Sequence, residues 1–97
     1  MTRRVAITGL GIVCALGRNT DEFREALFAG RCGIGPITRV DPELLRNRNG
    51  AEAASFDPAS YFDPKELLLL DRFAQLALAA AGEAIAGAGL DFRNDLG

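Results

Sequence analysis

The run VAITGLGIV, from Val5 to Val13, is almost continuously apolar and β-branched at positions 5, 7, 8, 12 and 13, the pattern of an interior parallel strand covered on both faces. The period then changes. Phe23, Ala26 and Leu27 form an apolar stripe behind a helix start at Asn19 or Thr20. Asn19 with Glu22 makes a capping-box pattern, and Asp21 and Glu22 suit the positive end of the helix dipole. Gly30 is placed to close this helix in the left-handed conformation without a Cβ penalty. From Arg31 to Tyr61 the chain carries Gly33, Gly35, Pro36, Pro42, Gly50 and Pro58 around a polar group, Arg46 to Asn49. That composition predicts an extended excursion with short regular elements. Ala51 to Phe56 is the candidate for a brief strand within it, despite low β-propensity.

Asp63-Pro64-Lys65-Glu66 is the sharpest local signal: an N-cap, a proline at the first helical position and a glutamate at N3. It predicts a long helix with a break near Leu70. Between Phe73 and Ala81 almost every position is apolar, so this helix lacks a polar side and is expected in a core. Gly89 followed by Leu90 resembles a Schellman ending.

A strand buried on both faces must pair its N–H and C=O groups laterally, and each group left unpaired in an apolar setting costs about 1–3 kcal/mol. One short candidate strand cannot supply both neighbours, and one short helix cannot cover an all-apolar helix. These 97 residues are therefore expected to be the opening portion of a larger α/β domain. The polar turn from Asp91 to Gly97, DFRNDLG, stands where a further strand would be expected to begin.

Composition then removes several functions. Histidine is absent, which excludes an imidazole base, proton shuttle or metal ligand. Eleven Lys plus Arg against 13 Asp plus Glu give a formal charge of −2, without the basic excess that nucleic acid selects. The apolar stretch from Leu67 to Leu90 is interrupted by Asp71, Arg72, Gln75 and Glu83 and is too rich in alanine for a membrane span. Cys14 and Cys32 form no CxxC and have no second ligand type beside them, so neither metal nor a disulfide framework is expected, and a reducing cytoplasm is the default.

Thr8-Gly9-Leu10-Gly11 after a strand invites a dinucleotide-binding reading, but GxGxxG would need glycine where Cys14 stands, and TGxxxGxG would need it at Val13 and Ala15. Glycines that let neighbouring backbone pack tightly account better for the motif. Cys14 reads as a structural thiol, and neither cysteine has an activating base. Asp71-Arg72 reads as an ion pair, a dipole-stabilising carboxylate or part of a site.

Three ordered blocks, RRVAITGLGIVCALG (3–17), GRCGIGPITRVD (30–41) and DPKELLLLDRFAQLALAAAGEAIAGAGLD (63–91), together resemble the N-terminal region of β-ketoacyl-acyl carrier protein synthases, both type II elongating enzymes and related polyketide ketosynthases. The resemblance runs over nearly all of the chain and about the first quarter of the family's usual length. It implies the N-terminal part of a thiolase-like fold, layered α-β-α and incomplete here, with residues 1–97 belonging to the N-terminal half. It also implies a decarboxylative condensation of an acyl thioester with malonyl-acyl carrier protein, without a cofactor, in a cytoplasmic homodimer. The family's nucleophilic cysteine, its two histidines and its supporting lysine come later. Cys14 and Cys32 match positions that are usually serine or another small residue, so no catalytic residue is carried over.

One binding residue is. In similar synthases the stretch beginning at Lys65 meets the acidic carrier protein with basic side chains. Lys65 is kept, while Leu68 and Leu69 replace the expected cations and remove charge complementarity. On the residues alone two other readings stay open: a nucleotide-binding α/β fragment of a dehydrogenase, and a non-enzymatic interaction module that binds through Leu67 to Leu70.

Overall fold

The computed structural model describes residues 2–91, so the expectation for the turn after Asp91 lies outside them. Three helices carry the chain: α1 (Thr20–Phe28), α2 (Pro64–Leu69) and α3 (Arg72–Ala88). Between α1 and α2 runs the excursion, with strands β1 (Ile34–Pro36) and β2 (Asn49–Ala51) and single 3-10 turns at Pro42–Leu44 and Pro58–Ser60.

The helix ends follow their local chemistry. Asn19 caps α1, its Oδ1 accepting the Glu22 N–H at 2.9 Å. The reciprocal half of the expected capping box is missing, because the Glu22 carboxylate accepts from Arg18 instead. Gly30 and Gly89 both sit at φ +70°, and at each the chain closes with the paired bonds of a Schellman turn, Arg31 N to Ala26 O and Leu90 N to Ile85 O. Asp63 and Glu66 complete a capping box at α2. The long helix breaks at Leu70, whose φ of −112° and ψ of 126° are extended, and restarts at Arg72.

Residues 5–13, expected as a strand, enter no ladder among the described residues. Their path is nevertheless strand-like. A β-carbon at Gly9 would meet the backbone of Ala84 and Ala88, and one at Gly11 that of Ala80 and Ala84. Two residues along the segment thus match four along α3, about 6 Å of helix rise against about 6.6 Å for a strand. The segment runs extended and antiparallel to α3, backbone against backbone, which explains glycine on one side and alanine on the other. A ladder needs donors and acceptors opposite it, and the described residues offer none.

The ladder that does form is elsewhere. β1 and β2 pair antiparallel, with Ile34 opposite Ala51, Gly35 opposite Gly50 and Pro36 opposite Asn49. The strand expected from Ala51 to Phe56 therefore ends where it was to start: Glu52 turns its carboxylate onto Thr38, and the chain then bends through the Phe56 N–H bond to Ala53 O. Propensity points away from Asn-Gly-Ala, but pairing with β1 outweighs it.

The core is thin. Ala26, Phe56, Ala79 and Gln75 are buried, and among the described residues no large side chain is fully enclosed. α3 is not wrapped as a core helix among the described residues, since Phe73 and Leu78 on it are exposed. Val5 at 93% and Ile7 at 82% are almost bare. The Cα radius of gyration is 16.7 Å, against about 12–13 Å for a compact domain of this length.

The close approach of the segment to α3 fixes opposite outcomes for two glycines. Gly11→Ala should lower stability by about 2–3 kcal/mol, because the new methyl meets helix backbone that cannot step aside. Gly82→Ala, with nothing within 4 Å of its added carbon, should raise it by about 0.5–1 kcal/mol. Urea unfolding followed by helical circular dichroism reads both; equal effects at the two positions would contradict the packing described.

Candidate functional site

α2 presents the residues singled out for binding. Lys65 lies in its first turn, one residue after Pro64, and is exposed. The carboxylates on either side of it, Asp63 and Glu66, are engaged in capping backbone N–H groups. Leu68 and Leu69 are 87% and 84% exposed, so the helix offers one ammonium group beside an apolar surface. α2 is only six residues long, ended by the break at Leu70, and these side chains are exposed on it.

The second locus lies where the N-terminal segment, α1 and α3 meet. Glu83 reaches out of α3 and uses both oxygens: Oε1 accepts the Ile12 N–H at 3.0 Å, and Oε2 accepts the Thr20 N–H at 2.9 Å and the Thr20 hydroxyl at 3.0 Å. Burial pushes this carboxyl upward, but the bonds from Thr20 and Ile12 outweigh it and hold it below the usual carboxylate range. Beside it is a hollow of about 370 Å³, lined among others by Arg18, Tyr61, Phe62 and Leu78. Arg18 on its rim is taken by Glu22 at 2.7 Å.

This arrangement excludes the phosphate cradle. The side of Gly9 and Gly11 on which a β-carbon would stand is filled by the α3 backbone, so these glycines serve helix packing, and the Thr20 N–H at the start of α1 already serves a carboxylate. The dinucleotide reading falls on that geometry.

The thiols stand apart. Cys14 is half-buried in a tight turn, exchanging backbone bonds with Gly17 at 2.9 and 3.2 Å, while Cys32 is exposed. Among the described residues no cluster of acids and thiols is arranged to hold a metal ion. Arg72 makes no ion pair with Asp71. It donates to Ala53 O at 2.9 Å and lies 5.5 Å from the centroid of Phe56, which stacks on Tyr61 at 5.2 Å. It pins the excursion to α3. Glu83 and Arg72 were visible only as charges interrupting an apolar helix; that each must have a partner is the signal, and the partner's identity is not in it.

The sequence matches the family described as Beta-ketoacyl synthase, N-terminal domain, over residues 2–96. It is 42% identical over 89 residues to the 3-oxoacyl-[acyl-carrier-protein] synthase 2 of Coxiella burnetii, covering 92% of this chain and 22% of that one. It is 44% identical over 87 residues to the tetracenomycin polyketide synthase ketoacyl synthase beta subunit of Streptomyces glaucescens, covering 90% and 21%. Among solved structures, the ishigamide ketosynthase/chain length factor superposes with a TM-score of 0.81 at 36% identity, over 95% of this chain and 23% of that one. The chain thus spans about a fifth of the length of the relatives it matches.

At the start of α1 the Arg18 side chain, then its backbone N–H, hold Glu22 down to about 2. A carboxyl lowered on folding stabilises the folded chain fully above its unfolded value and loses that contribution as pH falls through the folded one. The Glu22 contribution should be complete above about pH 4.5 and fade toward pH 2. A carboxyl-carbon NMR titration checks it; a Glu22 midpoint near 4.5 would contradict the pair, and Arg18→Gln, which keeps the backbone bond, should move the midpoint up toward that value without reaching it.

Proposed function

The chain belongs to the β-ketoacyl synthase N-terminal domain family, and from that membership we propose that residues 1–97 form the opening portion of the N-terminal half of a 3-oxoacyl-[acyl-carrier-protein] synthase. The reaction is decarboxylative condensation of an acyl thioester with malonyl-acyl carrier protein, in fatty acid or polyketide synthesis. The contribution of these residues is structural. They lay the first strand of the sheet on α3, leave its edges open for further strands, and bring none of the reacting groups. The observation that carries the reading is the match over residues 2–96 together with a TM-score of 0.81 to a ketosynthase/chain length factor.

Acyl carrier protein is the macromolecular partner in this reading, and Lys65 is its contact on α2. A single exposed ammonium at an interface rim acts mainly on encounter rate and salt dependence. With Leu68 and Leu69 beside it, docking here rests less on charge than a fully basic helix would. In this reading the assembled enzyme is a cytoplasmic homodimer that uses no cofactor, nucleic acid or membrane.

The test is complementation. The chain alone, incubated with acyl- and malonyl-carrier protein, should give no 3-oxoacyl product; mixed with a homologous synthase lacking the matching stretch, it should restore condensation. Turnover by the chain alone, or an associated assembly that stays inactive, would overturn the proposal. In the active assembly Lys65→Glu should raise the KM for carrier protein by about two- to fivefold with kcat unchanged; an unchanged KM would remove Lys65 from the interface.

A further inference from the structure

We propose that Glu83 is a carboxylate latch, a positioning residue that sets where the N-terminal segment stands along α3 and ties that segment to the first turn of α1. The proposal does not depend on the reading above. Within residues 2–13 the bond from Ile12 N–H to Glu83 is the one hydrogen bond among the described residues. The glycine seat governs how closely the two backbones approach; the Ile12 bond adds a directional contact at one point along the helix. The other oxygen of Glu83 accepts two bonds from Thr20, whose N–H is among the first four of α1 and has no partner inside the helix. One side chain therefore joins elements 71 and 63 residues away in sequence.

Three donors converge on this carboxylate, so ionisation matters. Ionised, it is purely an acceptor; protonated, one oxygen becomes a donor facing N–H groups and the set of bonds cannot persist. The charged or titratable groups around it are few. On the α1 side, Arg18 and Glu22 are spent on each other, and so are Asp21 and Arg24, the latter lining a hollow with Thr20. Tyr61 lines the same hollow from the turn before α2. Arg3 and Arg4, the charged residues of the segment, stand at its opposite end, and α3 has no other ionisable side chain within a turn of Glu83. The carboxyl is lowered on folding, so the latch is fully closed above the ordinary glutamate range and opens as pH falls through the lowered value.

Hydrogen exchange by mass spectrometry on the 97-residue chain tests this. At pH 7, Glu83→Gln should speed exchange about tenfold at the Ile12 amide, the one hydrogen-bonded amide of residues 9–13, and at the Thr20 amide in residues 19–22 together, with β1, β2 and α2 changed by less than about twofold. Thr20→Val removes the hydroxyl alone and should give a smaller rise in the same two segments. Wild-type rates, corrected for intrinsic pH dependence, should converge on those of Glu83→Gln as the solution is acidified. Unchanged exchange at the Ile12 amide, a rise at only one of the Ile12 and Thr20 amides, or a uniform rise throughout the chain would each overturn the latch.

Discussion

Two stretches of main chain touch where residues 5–13 cross α3, and they can do so only because positions 9 and 11 have no β-carbon. The facing side of the helix is equally bare, with Ala80, Ala84 and Ala88 at four-residue intervals. Everything else is hung from that contact. The segment leads through the Cys14 to Gly17 turn into α1, Glu83 binds both, and Arg72 near the other end of α3 secures the excursion through Ala53 and Phe56. α3 thus serves as a spine, and the charges that interrupt its apolar sequence are the points where other parts of the chain are fastened.

Among the described residues the spine is covered on one side only. Phe73 and Leu78 are open, as are Val5 and Ile7 ahead of the glycine contact, and the shape is correspondingly spread, 53 by 37 by 26 Å. An extended segment with its apolar side chains in water forgoes the free energy of burying them until other strands and helices lie against it, and whatever covers it must also pair its backbone. The relatives are some four to five times as long as the stretch they share with this chain, and in the proposed synthase the remainder supplies those strands and helices.

The parts of the fold that local chemistry decides could be read directly. Asn19, Gly30, the Asp63-Pro64 start, the break at Leu70 and the turn at Gly89 each depend on a few adjacent residues, and each is where the sequence puts it. Pairing over distance could not be read in the same way. The apolar run at 5–13 shows that a strand is intended, not that it lies antiparallel on α3. Asn49-Gly50-Ala51 becomes a strand because Ile34-Gly35-Pro36 is opposite, against its own propensity. At the site, the place of Lys65 in the first turn of a helix was legible from the cap; the exposure of that helix was not. The roles of Glu83 and Arg72 were not, because their partners are tens of residues away.

The most direct measurement is the pattern of cross-strand NMR contacts from residues 5–13, with this chain alone isotopically labelled. In the presence of the remainder of a homologous synthase, the account requires contacts to unlabelled strands on the edges of the segment, and in the free chain it requires none. Ladder contacts within the free chain, or their absence in an associated assembly, would contradict it.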